Sequence, residues 1–413
     1  MFYSAPDLGA FMHIDEIDLY DLDAWSERVL HEELAILRAQ SPIHLNAMPN
    51  ARPFWAITKA DHVIEMSKNP KDFSTWRGGT TLDDYGEEDI GAIRQLLINM
   101  DPPQHSKFRK LVSRGFTPRM VRLMESRIRD DISEILDRVL PLGEIDFVTA
   151  IAAELPLRVI CRLVGIPDSD FHLIFDWSNR LIGFDDPEFQ TSVEDSRIAA
   201  MEMWQYAQEL LDGRGGRRSE DLISVLMNAE VDGEAVTEAE FNGFFLLLSV
   251  AGNETTRNAI SAGLLAMLEN PEQWQKLVDD PSLASSATEE ILRWSTPVIY
   301  MRRTCTRDLN FHGVEMKEND KLALFYTSAN RDEERFEDAH VFDITRSPNE
   351  HLAFGVGEHF CLGASLARLE ITLLFEALAE RLTDVQLNGE VRRLRSNFIA
   401  GIKTLPISFS QRQ

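Results

Sequence analysis

Apolar residues recur along this chain mostly at three- and four-residue spacing, so helices should outnumber strands. Thr117-Pro118 opens one helix with a capping hydroxyl and a proline suited to the first turn. Ile128, Ile132, Ile135 and Val139 supply its apolar stripe, and Pro141 ends it. A second helix starts at Thr237, where Thr-Glu-Ala-Glu forms a capping box with Glu240, and runs to Asn270-Pro271. At ~1.5 Å per residue it spans roughly 45 to 50 Å, enough to cross a whole domain. A third strongly helical stretch runs from Ala364 to Leu382. Only Phe54 to Lys59 and Lys321 to Thr327 read as short strands, which makes the fold class mainly α with a minor β-sheet.

The middle of the second helix breaks its own pattern. Gly252 costs about 1 kcal/mol relative to alanine in a helix interior. Asn253, Glu254, Thr255 and Thr256 place polar groups directly after the chain's richest apolar run, Phe244 to Ala251. Local preference and overall pattern disagree there, which marks a candidate functional site. The apolar run is far shorter than the ~20 residues of a membrane span, so it predicts a buried helix and no membrane anchor.

Composition narrows the picture. No Pro/Gly/Ser-rich linker divides the sequence, so residues 1–413 read as one domain whose first fifty residues carry no distinctive motif. A net charge of −26 has the wrong sign for a protein whose main partner is nucleic acid. Cys161, Cys305 and Cys361 are odd in number and far apart. Neither a disulfide framework nor a structural zinc site is expected, and a reducing cytoplasm fits. No basic segment followed by an apolar stretch opens the chain, so no signal peptide is expected.

The most informative segment is Phe354-Gly-Val-Gly-Glu-His-Phe-Cys361-Leu-Gly363, which leads straight into the helical stretch at Ala364. Cys361 then sits at a helix N-terminus, where free N–H groups and the helix dipole stabilise a thiolate. The glycines let the chain turn tightly and approach a flat cofactor. A buried structural cysteine is the usual meaning of a lone Cys. Three glycines, an aromatic and a helix start in register outweigh it here.

With Phe354, Gly357, Cys361 and Gly363 in the pattern Phe-x-x-Gly-x-x-x-Cys-x-Gly, the segment resembles the cysteine-ligand loop of bacterial cytochromes P-450. That family is the general case in which a cysteine thiolate on haem iron favours O–O cleavage. The resemblance extends from about Phe54 to the C-terminus. It implies heme b between the long central helix and the cysteine loop, with Cys361 as the iron ligand. Ala251-Gly252-Asn-Glu254-Thr255-Thr is similar to the family's oxygen-binding groove. There Ala251 and Gly252 leave room over the iron, and Glu254 and Thr255 serve proton delivery. Glu290 and Arg293 match the family's Glu-x-x-Arg pair, joined by Arg346, in a structural role. His105, Arg109, Arg303 and His359 match its donors to the haem propionates. His359 stands where arginine is frequent.

The resemblance further implies a monomeric monooxygenase that inserts one atom of O2 into a C–H bond of a hydrophobic substrate. It looks closest to enzymes acting on terpenoids, steroids or branched lipids. Trp76, Leu248, Ala251, Val298, Ile299 and Phe398 are the expected substrate contacts. No flavin or reductase segment follows the haem motifs, so electrons are expected from a ferredoxin-type protein with its reductase. Lys107, Lys110 and Arg114 offer it one basic stripe, opposite His105 and Arg109. A peroxide-driven peroxygenase should lack the acid and alcohol at 254 and 255. A haem sensor or carrier would differ by not turning over.

Overall fold

The computed structural model describes residues 13–49, 51–189, 192–214, 221–227, 229–231 and 234–412. The main sheet has five strands: β1 (Ile43–Met48), β2 (Ala51–Ile57), β3 (Phe73–Ser74), β4 (Tyr300–Cys305) and β5 (Lys321–Phe325). They lie in the order β1-β2-β5-β4-β3. β2 and β5 run parallel, with Leu322 beside Trp55, and the other neighbours are antiparallel. Every residue of β5 is buried, as its apolar run requires in a strand covered on both faces. The expected strand at 321–327 stops at Phe325, because Tyr326–Ala329 turns into a short helix.

Seven helices matter for the site: α1 (Gln104–Val112), α2 (Pro118–Val139), α3 (Glu154–Val164), α4 (Phe171–Ile182), α5 (Glu238–Glu269), α6 (Ala284–Ser295) and α7 (Ala364–Arg381). Their ends follow the capping chemistry. Thr117 Oγ1 accepts the Met120 N–H (3.3 Å), and the stripe Ile128, Ile132, Ile135 and Val139 is buried. Thr237 Oγ1 accepts the Glu240 N–H (3.3 Å), while Glu240 Oε2 accepts the Thr237 N–H (2.8 Å). The 32 residues of α5 make it about 48 Å long.

α5 is the axis of the helical core. It packs against α3, α4 and α6, and α7 packs on α2 and α6. Because helices surround it, α5 buries residues on nearly all sides, Phe244, Asn253, Ile260 and Leu264 among them. A cavity opens where α5 faces the loop before α7, with β4 and α1 closing its flank. No described helix is long and apolar enough to cross a membrane.

Candidate active site

Cys361 is held by a closed loop. Its N–H donates to Phe354 O (2.9 Å), and within the loop Gly355 and Gly357 have φ of +67° and +79°. A Cβ on Gly357 would also lie 2.8 Å from Ser67 O, so only glycine fits. Gly363 is different. It caps α7 at φ −84°, and a Cβ there would meet nothing nearer than Phe116 at 4.0 Å. Among the described residues nothing demands glycine at 363, whereas a flat group lying against this backbone would.

The Cys361 side chain opens into the cavity. Burial among the surrounding atoms raises its thiol, while the Gly363 N–H, Arg109, Arg368 and the Ala364 N–H pull the other way. A metal ion on the sulfur would settle that balance in favour of thiolate. Cys161 and Cys305 are buried outside the cavity, and burial pushes both thiols up, Cys305 to about 12.

Four nitrogen donors gather at the same end. His105, Arg109, Arg303 and His359 all line the cavity. The His105 and His359 rings lie 4.2 Å apart. Arg109 donates to Phe360 O (2.5 Å), and Arg303, almost fully buried, donates to Arg302 O (2.8 Å). Among the described residues none of the four has a carboxylate partner within hydrogen-bond reach, and the buried His105 Nδ1 has no partner. Asp101, the nearest acid in charge terms, is occupied by Ser74 and Thr75. Burial, with Arg109 adding to it, lowers His105 to about 4. Burial, then Arg303, His105 and Arg109, lowers His359 to about 2. A carboxylate between these groups would satisfy the donors and reverse the shifts.

α5 supplies the facing wall through Leu247, Leu248, Ala251, Gly252, Thr255, Thr256 and Ala259. The spacing is helical, and the wall is apolar apart from two hydroxyls. Thr255 Oγ1 donates back to Ala251 O (2.8 Å). Two expectations need correction here. Gly252 borders the cavity, but the space its missing side chain leaves faces α3: a Cβ would come within 2.8 Å of Ile160 Cδ1 and Cγ1. Its glycine lets two helices approach. Glu254 does not line the cavity. It is buried against Arg257, whose Nη2 donates to Glu254 Oε2 (2.5 Å) and whose Nη1 donates to Asn179 Oδ1 (2.9 Å) on α4. Burial raises the Glu254 carboxyl and Arg257 opposes the rise. Successive helical residues point about 100° apart, so Thr255 faces the cavity while Glu254 faces the neighbouring helices.

Of the expected substrate contacts, Leu248, Ala251 and Val298 line the cavity, and Trp76, Ile299 and Phe398 do not. Trp76 lies under the Arg94 guanidinium, 5.0 Å from its ring centre. Ile299 is fully buried in a cluster with Tyr300 and Phe325, and its N–H donates to Phe398 O (2.9 Å). Phe398 packs edge-on against Tyr300. In this extended segment Val298 and Ile299 take opposite sides. Met301, Ile98 and Thr80 are wall residues that sequence reasoning missed; Met301 was within reach from its place two residues before Arg303 on one strand face.

The acid and arginine three apart on α6 form a buried knot. Arg293 Nε and Nη2 grip both Glu290 oxygens (2.8 and 2.7 Å), and neither residue is exposed. Arg346 Nε and Asn349 Nδ2 also donate to Glu290 Oε2, at 3.2 and 3.0 Å. The remaining Arg293 donors reach Asn330 O, Ala339 O and Val341 O. Next to it, Glu289 binds Arg368 Nε (2.7 Å), whose guanidinium lies 4.5 Å over Phe354 at the start of the cysteine loop. Sequence reasoning placed Glu290, Arg293 and Arg346 here but not Asn349, Glu289 or Arg368.

A thiol at one face, donors without a carboxylate at the rim and a glycine open to the cavity fit a flat, dianionic iron macrocycle. Residues 157–282 and 279–398 match the Cytochrome P450 family, and the chain belongs to it. The fold and cysteine loop are those of an oxygen-incorporating haem oxidoreductase. More particularly, the chain is similar to the steroid C26-monooxygenase of Rhodococcus jostii (strain RHA1), with 40% identity over 95% of this chain and 84% of that protein. It is 42% identical to the methyl-branched lipid omega-hydroxylase of Mycobacterium tuberculosis (strain ATCC 25618 / H37Rv), over 96% of this chain and 95% of that one. A Mycobacterium marinum cytochrome P450 solved with pseudoionone superposes with a TM-score of 0.88 at 35% identity, covering 97% of this chain and all of that one.

Proposed function

We propose that the chain hydroxylates the methyl-branched end of a steroid side chain or lipid, using O2 and two electrons from a ferredoxin and its reductase. The observation that carries this reading is the polarity of the cavity: hydrogen-bond donors crowd its rim beside Cys361, and Leu247, Leu248, Ala251, Val298 and Met301 leave the facing wall apolar. Such a wall recognises hydrocarbon by shape and gains roughly 25 cal/mol per Å² removed from water. Both relatives just described are named for attack at a chain end, C26 or omega.

Heme b, bound through the Cys361 thiolate, supplies the activation of O2. The chain's own residues do the rest. Arg109, Arg303, His105 and His359 hold the propionates. Phe354, Gly357 and Gly363 shape the loop against the macrocycle. Ala251 keeps the reacting end of the substrate close, and the Thr255 hydroxyl, already in the cavity, positions a proton. Glu254 serves that hydroxyl only after its carboxylate leaves Arg257. The basic helix α1 presents His105 and Arg109 inward and exposes Lys107 and Lys110, a surface suited to an acidic ferredoxin. The Arg114 side chain lies outside the described residues.

Reconstitution with a ferredoxin, its reductase and a cholestane-type steroid or methyl-branched fatty acid tests the reading. A terminal alcohol identified by mass spectrometry is the expected product. Oxidation confined to small polar compounds, or on steroid rings only, would overturn the substrate assignment.

A further inference from the structure

On the other side of β4 from the cysteine lies a second pocket. Arg303 and Met301 border the haem-site cavity, and the intervening Arg302 points the opposite way. This pocket is lined by Arg52, Arg77, Arg94 and Arg302, with Asp84 as the one carboxylate among its described lining residues. Asp84 pairs with Arg52 and Lys321, and Glu318 with Arg77, so Arg94 and Arg302 are the two lining arginines without an acid partner among the described residues. Guanidinium groups gathered round one cleft repel one another unless an anion lies between them.

The site is built around Arg302. That side chain is 2% exposed. Its Nη1 donates to Thr81 O (3.2 Å) and Asp83 O (2.6 Å), whereas Nε has no partner. Gly78 makes room for it: a Cβ there would sit 2.2 Å from Nη2, for which no acceptor is found among the described residues. Among the described residues Arg94 finds an acceptor for Nε alone, Trp76 O (2.8 Å), so both its Nη groups are available to a ligand there. Burial raises the Tyr85 phenol to about 12, so it enters the pocket as a neutral hydroxyl. Two guanidinium groups with spare donors facing one cleft are the general recipe for binding an oxyanion.

We infer that this pocket binds an oxyanion, a phosphate, sulfate or carboxylate group, between Arg94 and Arg302. The bound anion ties the segment carrying Arg77, Gly78 and Arg94 to β4. The same stretch of chain brings Thr80, Leu97 and Ile98 to the wall of the haem-site cavity, so anion binding stiffens that wall. The oxyanion comes either free, as inorganic phosphate, or as the head group of an amphiphile.

Thermal unfolding of the haem-loaded full chain in potassium phosphate, against potassium chloride at equal ionic strength, tests this. A saturable rise of about 2 °C or more is expected. Arg94→Gln should move its midpoint to at least tenfold higher phosphate. Arg302→Met should abolish the rise but strands two carbonyls, so Arg94→Gln is the decisive variant. A shallow, unsaturated rise equal in both proteins is the generic effect of an excluded salt and would overturn the site. Competition between phosphate and a steroid sulfate or fatty acid, read by the haem spin-state shift, assigns the group to an amphiphile; independent binding assigns it to free oxyanion. Because the stability readout needs no turnover, its failure is distinct from failure of the hydroxylase reading.

Discussion

The two walls of the haem-site cavity are built on different terms. Behind the cysteine loop both oxygens of Glu290 are answered, by donors from Arg293, Arg346, Asn349 and the Asp343 N–H, although Asn349 Oδ1 and, on α7, Glu370 Oε2 are buried without partners among the described residues. On the α5 side, Asn253, one oxygen of Glu254, Arg257 Nε and Asn258 Nδ2 are buried without partners. A satisfied network fixes one geometry, while an unsatisfied one leaves room for water and for side chains to change partners. The first suits a ligand sulfur that must not move. The second suits a wall that must pass protons and admit substrate.

The sharpest way to break this contrast is at the ligand. Cys361→His should abolish the strongly red-shifted Soret band of the reduced carbonyl complex, the signature of a thiolate. Survival of that band, or its loss on replacing Cys161 or Cys305, would move the ligand elsewhere. Next in size, Glu290→Ala leaves the buried Arg293 charge without its carboxylate, which typically costs about 3 to 5 kcal/mol. Little haem-loaded protein should be recovered, and a fully loaded, stable variant would show the network to be dispensable.

On the opposite wall, Thr255→Ala should leave stability within ~0.5 kcal/mol, since the hydroxyl donates only to its own helix. Coupling should fall several-fold, with electrons lost to peroxide, measured as peroxide formed per electron pair. Unchanged coupling would remove Thr255 from proton delivery. Gly252→Ala asks whether that glycine serves the cavity or the helix contact. The structure predicts a loss of ~1 to 3 kcal/mol by crowding Ile160, and this increment should largely vanish when Gly252→Ala is made in an Ile160→Ala background. Loss of substrate binding without loss of stability would return Gly252 to the cavity.

The same contrast separates what could be read from the sequence from what could not. The cysteine loop was legible because its requirements are local: glycines at positive φ, a helix start and a sulfur lie within ten residues. Glu290 and Arg293 were legible as an i,i+3 pair, although their burial was not. The facing wall depends on which side of an element each residue turns. Val298 and Ile299 are both apolar neighbours, yet one meets the cavity and the other the core. Glu254 beside Thr255 reads as a working pair, but their directions on α5 diverge, and Arg257 with Asn179 holds the acid away. The arginine pocket was invisible because Arg302 comes from a strand far along the chain from Arg52, Arg77 and Arg94.

The smallest effect sharpens the account of the satisfied wall, because part of it titrates. Burial would raise the Glu289 carboxyl, but hydrogen bonds and charge from His351 and Arg368 more than reverse this and hold it at about 2. A carboxyl with a depressed folded pKa contributes stability that is full above its unfolded value, near 4.5, and lost as pH falls toward about 2. With partial screening at this partly exposed site, that contribution is on the order of 1 to 2 kcal/mol. Urea unfolding of Glu289→Gln should therefore show the variant weaker by that amount at pH 7, with the difference shrinking as pH falls from 4.5 toward 2. Arg368 would lose its anchor over Phe354, so the cysteine loop should loosen in the same window, read as faster haem release. A stability difference independent of pH would mean that Glu289 acts through packing rather than charge, and the wall around Cys361 would then owe its rigidity to the Glu290 network alone.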